Sequence, residues 1–96
     1  MDGKLMLMVD TAIRLASGIR IKQEAEEMLT EREMEAVKRV AEVIRAEKKG
    51  LLFCGICGKG SFTRRGFYLH LVRVHKEDVA TLIKQELEES MLAVGQ

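Results

Sequence analysis

The chain lacks proline, asparagine and tryptophan, and among its 96 residues it has only four aromatics, two cysteines and two histidines. Missing asparagine and proline, together with little glutamine, is a faint compositional hint of a heat-adapted source. No apolar run is long enough to cross a bilayer, and the N-terminus shows no basic stretch leading to a cleavage site. Neither a membrane span nor secretion is therefore expected, and the chain reads as intracellular. No Ser–His–Asp set or acid pair stands out, which argues against an enzyme and gives no small-molecule substrate. Charged residues make up 32% and apolar ones 47%, the balance of a soluble globular chain rather than a disordered one. A chain of this length buries little more than about 60% of its unfolded surface, so a metal staple or a dimer interface would help it.

What the chain does have is concentrated in one stretch. Residues 53–75, FCGICGKGSFTRRGFYLHLVRVH, hold both cysteines, both histidines and all four aromatics, Phe53, Phe62, Phe67 and Tyr68. The order is Cys54-x-x-Cys57, twelve residues, His70, four residues and His75. Two thiolates and two imidazoles form the borderline-soft, tetrahedral donor set that Zn²⁺ prefers, at spacings within the limits of a structural zinc site. Two cysteines with two partner histidines in an intracellular chain favour metal over a disulfide. A redox dithiol would need a strand–helix setting inside a parallel sheet, which this chain does not offer. With all four ligands from protein, the zinc lacks the open position catalysis requires.

The net charge of +1 hides a polarity. Residues 1–50 carry ten basic and ten acidic side chains. Residues 51–76 carry Lys59, Arg64, Arg65, Arg73 and Lys76 with no acid, and residues 77–96 carry Lys84 against Glu77, Asp78, Glu86, Glu88 and Glu89. The excess positive charge sits on the cysteine–histidine segment, where a polyanion would meet it, though five basic residues can also be an ordinary solvated face. Lys38-Arg39 and Lys48-Lys49 are balanced by nearby glutamates.

The rest reads as helices. Leu5, Met8, Val9, Ala12, Ile13 and Ala16 recur at helical steps within residues 4–17, with Gly18 as the stop. The rival is a strand at Leu5–Val9 leading into a helix, as in a ribbon-helix-helix protein, but the polar alternation of an exposed ribbon is missing. Residues 20–29 read as a short second helix. Thr30 to Glu33 fits a capping box that opens a third, with its stripe at Met34, Val37, Val40, Ala41 and Ile44 and its end near Lys49, before Gly50. If that box is not a true start, helices two and three merge into one rod. Glu35 and Arg39 form a favourable i,i+4 pair. Residues 77–94 form a last amphipathic helix whose stripe, Val79, Ile83, Leu87, Met91 and Val94, needs a partner in this chain or a second one.

On its ligand motif, residues 52–75 resemble the CCHH zinc finger, the ββα module. The CGICGKG turn and the basic-aromatic run after it look most like the single fingers of small proteins of archaea and archaeal viruses. The resemblance covers about a quarter of the chain. It implies a hairpin at roughly 52–62 and a helix from near Arg64, with Phe62 and Phe67 filling a small core against Leu52 or Phe53. The chain departs from the family in having Ser61 where an aromatic is usual and Phe67 where a leucine is. His70 and His75 are also five apart, which on a regular helix separates them by about 140° rather than about 40°. An irregular turn at Leu71–Val74 is therefore expected, separating the finger helix from the C-terminal one.

The fold class expected is mainly α, with N-terminal helices and a C-terminal amphipathic helix around one ββα zinc finger. Its parts are a helical packing or dimerisation region (1–50), the finger (51–76) and the last helix (77–96). In relatives that read DNA the finger helix enters the major groove, and the matching positions here are Thr63, Arg65, Gly66 and Leu69. Only Arg65 and Thr63 can hydrogen-bond a base, while Lys59, Arg64, Arg73 and Lys76 suit phosphates. One finger covers about three base pairs, so specific recognition asks for a second unit. The expected function is a zinc-dependent protein that binds double-stranded DNA, a small transcriptional regulator acting as a homodimer in the cytoplasm of a cell or host. The alternative is a zinc-stapled protein–protein interaction module without direct DNA binding.

Overall fold

The computed structural model describes residues 2–94, the side chains of residues 92–94 excepted. Among the described residues five helices, α1 (Gly3–Ser17), α2 (Gln23–Met28), α3 (Glu31–Ile44), α4 (Arg64–Val74) and α5 (Lys76–Val94), accompany a three-stranded antiparallel sheet of β1 (Arg45–Lys48), β2 (Leu51–Cys54) and β3 (Gly60–Phe62). The architecture is mainly α with one ββα-like unit.

The hub is α1. Asp2 caps it by accepting from the Leu5 amide at 2.7 Å, and Gly18 ends it at φ +72°, a left-handed conformation that costs a residue without a Cβ nothing. Its whole expected stripe is buried, as are Leu7, Thr11 and Ser17, so α3, α4 and α5 can all pack around it. Residues Leu5–Val9 are helical, which removes the ribbon-helix-helix rival. The capping box also forms: the Thr30 hydroxyl accepts from the Glu33 amide at 3.1 Å, and the Glu33 carboxylate accepts from the Thr30 amide at 2.9 Å. Leu29 and Thr30 are extended, so α2 and α3 are two helices rather than one rod.

The apolar face of α5 finds its partner within the chain. Val79 and Ile83 are fully buried against α1 and α3, Leu87 is half-buried, and Met91 emerges at 62% exposure. Val94, the last residue of the expected stripe, lies outside the described side chains. Arg39 reaches across to Glu86 of α5 at 3.6 Å and does not form the expected pair with Glu35. A single buried cluster joins the helical core (Val9, Ile13, Val37, Val40, Ile44, Val79 and Ile83) to Leu52, Cys54, Phe67 and Leu71 of the ββα-like unit.

Two expectations need correction. Helix α3 stops at Ile44 rather than near Lys49, and Arg45–Lys48 instead become β1, paired from Arg45↔Cys54 to Lys48↔Leu51. The helix-favouring residues Ala46, Glu47 and Lys48 yield to a two-residue hairpin turn in which Lys49 and Gly50 both take positive φ, 53° and 78°. The second correction concerns Leu71–Val74, which remain regular helix. The irregularity falls at His75 itself, with φ −120° and ψ 18°. Turning one residue redirects the ring and the following helix while the His75 amide still reaches the Leu71 carbonyl at 3.0 Å, so the ladder of α4 is kept.

Candidate metal centre

Three elements deliver the donor atoms. Cys54 ends β2, Cys57 lies in the turn that follows, and His70 and His75 come from α4 and its C-terminal cap. One donor atom from each of Cys54, Cys57, His70 and His75 falls within 4.8 Å of the others. Bonds of about 2.0–2.3 Å to a tetrahedral ion ask for roughly 3.3–3.8 Å between donors, so the widest pair must close by about 1 Å. Cys57 Sγ and His70 Nε2 already stand 3.4 Å apart. Cys54 and His75 are buried, His70 is half-buried and Cys57 is exposed, so the quartet is sealed on the core side and open on the other.

The turn carrying the cysteines is fastened to the helical region. The Gly55 amide donates to the Ile44 carbonyl at 2.8 Å, and a Cβ at position 55 would collide with the Val43 carbonyl. Glycine is thus required there by the close approach of the turn to the end of α3. Amides aim at the sulfurs: those of Cys57 and Ile56 at Cys54, and that of Lys59 at Cys57. Phe62 stacks on His70 with centroids 4.8 Å apart and on Phe67 at 5.7 Å, which fixes the plane of the first histidine.

The electrostatics divide the four donors. Burial pushes the Cys54 thiol up, against the pull of the Cys57 and Ile56 amides. The exposed Cys57 thiol is lowered, first by the Lys59 amide and then by His75, which makes it the readier thiolate. Burial holds His70 below its usual value, reinforced by the charges of His75 and Lys59. For His75 burial acts in the same direction but is overcome, and the Asp78 carboxylate with the Cys57 sulfur leaves it raised. His75 Nδ1 lies 2.8 Å from Asp78 Oδ2, while its Nε2 is buried without a hydrogen-bond partner. Such an orphaned nitrogen costs about 1–3 kcal/mol, and a cation placed among these four donors would remove that cost. The residues therefore fit a metal ion, and the donor set is one that zinc accepts.

The other expected site residues are spread around this centre. Lys59 is exposed in the cysteine turn, and Thr63 is the N-cap of α4, its hydroxyl accepting from the Gly66 amide at 3.0 Å. Arg64 lies over the end of α1, its Nε 3.4 Å from where a Cβ on Gly18 would stand. Arg65, Leu69 and Arg73 follow one another at four-residue steps along α4, with both arginines exposed, and Lys76 opens α5. Among the described residues none of these five cations is ion-paired; in the helical region Lys4, Arg14, Lys22, Arg39 and Arg45 are paired and Arg20, Arg32, Lys38, Lys48 and Lys49 are not. Tyr68 is covered by the Arg14 guanidinium, 5.4 Å from its centroid, and so serves packing. Sequence reasoning missed Asp78. Its signal was an acid three residues beyond a ligand histidine, which one helical turn brings alongside. No protein-family profile matches the chain, nor does any curated protein or solved structure.

Proposed function

We propose that the protein is a zinc-dependent DNA-binding protein, a small transcriptional regulator that docks α4 and the cysteine turn against the duplex. The observation that carries this reading is that, among the described residues, the five cations of residues 51–76, Lys59, Arg64, Arg65, Arg73 and Lys76, are exposed and none of them forms an ion pair. Exposed cations with no acidic residue interleaved in their segment are suited to phosphates. Arg65 stands where the finger resemblance places a base contact, and an arginine there would prefer guanine. Zinc is the metal that two thiolates and two imidazoles select. A second copy on an adjacent site would supply the footprint that three base pairs lack. Because the α5 stripe is covered within the chain, that copy would have to use another surface.

The test is binding of zinc-loaded protein to mixed-sequence duplex DNA as salt is raised. Three to five phosphate contacts give a slope of about −0.9 each, a fall of roughly 40- to 500-fold between about 50 and 200 mM salt. Replacing Lys59 and Arg73 by alanine should flatten the slope by about two contacts and leave the fold intact. Absence of binding by wild type even at low salt would defeat the proposal.

A second reading, a zinc-stapled protein-interaction module, is favoured by one feature. Val43 is 57% exposed and lines an open groove with Ile56 and Leu82 beside the cysteine turn. That reading expects Val43→Asp to abolish partner capture and no salt-dependent DNA binding.

A further inference from the structure

We infer that Asp78 is a positioning residue for the metal centre: it holds His75 in the one tautomer and ring orientation that presents Nε2 to an ion. This rests on the four-ligand reading of Cys54, Cys57, His70 and His75 and assigns a role outside that quartet.

The argument begins with the backbone. His75 leaves the helical conformation for one residue, and α5 starts immediately after it. Asp78 is therefore in the first turn of α5, three residues beyond the histidine, with its Oδ2 2.8 Å from Nδ1. An ionised carboxylate only accepts hydrogen bonds, so Nδ1 is the nitrogen carrying the proton. A neutral imidazole has one N–H and one lone pair, and the lone pair is then on Nε2. That atom is buried and lacks a hydrogen-bond partner, and His75 stands with the other three ligand residues in one cluster. Protonating Nε2 instead would turn a donor toward the metal position and leave Nδ1 facing the carboxylate lone pair to lone pair. Asp78 itself is well exposed and forms no bridge to any lysine or arginine among the described residues; its recorded partner is His75. A carboxylate left free of cations beside a ligand's distal nitrogen is the arrangement by which proteins orient a metal-bound imidazole and raise its basicity.

A purely structural role is the competing explanation. An acid in the first turn of a helix complements the helix dipole whatever else it touches. Glu77 occupies the same turn, carries the same charge and, among the described residues, forms no hydrogen bond or salt bridge with His75, so it separates the two explanations.

The test titrates Zn²⁺ against a chromogenic chelator in wild type, Asp78→Ala, Asp78→Asn and Glu77→Ala. In parallel, nitrogen NMR of histidine-labelled protein reads which ring nitrogen of His75 carries the proton. Asp78→Ala should weaken zinc binding about 10- to 100-fold and expose the Nδ1 proton to rapid exchange with water. Asp78→Asn keeps an oxygen that accepts from Nδ1 and should recover most of the affinity. Glu77→Ala should bind as wild type does. The inference is overturned if Asp78→Ala binds within about two-fold of wild type, or if Glu77→Ala loses as much. It is overturned as well if Asp78→Asn is as weak as the alanine variant, since charge rather than the hydrogen bond would then be responsible. Failure of wild type to bind Zn²⁺ would instead refute the four-ligand reading beneath it, a distinct result visible before any variant is made.

Discussion

Truncating Phe67 tests whether the metal-bearing unit and the helices stand or fall together. Phe67 is fully buried, stacks on Phe62 and belongs to the same cluster as Ile13, Ile44 and Val79. Phe67→Ala at such a site costs about 3–5 kcal/mol. At roughly 0.05–0.15 kcal/mol per residue the whole fold is worth only about 5–14 kcal/mol, so the truncation removes between about a fifth and all of it in the metal-free protein. A metal present at about a thousand times its dissociation constant returns about 4 kcal/mol, close to what the truncation removes. The assay is urea unfolding with and without Zn²⁺, followed both by far-UV ellipticity and by the fluorescence of Tyr68. Both signals should shift to lower urea together, and zinc should restore most of the shift. Phe62→Ala is the comparison, with a smaller expected loss because Phe62 is only half-buried. A Phe67→Ala protein in which Tyr68 melts early while the ellipticity of α1, α3 and α5 is unchanged would refute the shared core. A cost below about 1.5 kcal/mol would refute the packing argument itself.

Other perturbations have defined outcomes. Gly55→Ala places a Cβ against the Val43 carbonyl and should cost about 2–4 kcal/mol by overpacking and loss of the Gly55–Ile44 hydrogen bond, with zinc affinity falling in the same variant; an unfolding midpoint equal to wild type would contradict it. Ser17→Ala removes a buried hydroxyl that has no partner, and should be neutral or stabilise by up to about 1 kcal/mol in the same denaturant assay. Glu33 keeps its proton less readily than an ordinary glutamate: burial acts to raise its pKa, but the Thr30 amide and Lys4 bring it below 4.5. A carboxyl depressed in the fold contributes stability that is complete above the unfolded value and lost as pH falls from about 4.5 through the folded one. Glu33→Gln should therefore flatten the acid limb of a stability–pH profile while changing neutral stability by less than about 1 kcal/mol, because Lys4 is largely solvated.

The parts of this structure that were legible in the sequence are those set by neighbouring residues. Leu5 to Ala16 with Gly18 give α1, Thr30 with Glu33 starts α3, and the two cysteines and two histidines select one another by ligand chemistry. Arg45–Lys48 failed as a helix because Ala, Glu and Lys favour helix locally, whereas pairing with Leu51–Cys54 is visible only once the Lys49-Gly50 turn is read as a hairpin. The five-residue histidine spacing correctly demanded an irregularity, but spacing alone could not say that His75 would absorb it rather than Leu71–Val74. The stripe of α5 pointed to helices of this chain or of a second one, and an apolar stripe does not say which; the fold covers Val79 and Ile83 with α1 and α3 of the same chain.

The hydrogen bond from Gly55 to Ile44 makes the segment between them a closed loop of fixed length. Within it, β1 runs out from the end of α3 and β2 returns, so that Arg45 lies opposite Cys54 and a metal ligand is measured off against the last turn of a helix. Strand faces alternate residue by residue, so one residue added between Ile44 and Lys48 would turn Cys54 away from the site or break the ladder. The Lys49-Gly50 tip is free of this constraint and is where additional chain can be accepted. Variation in length among proteins built on this plan would thus be confined to the hairpin tip, with the interval on either side behaving as a ruler set by the metal.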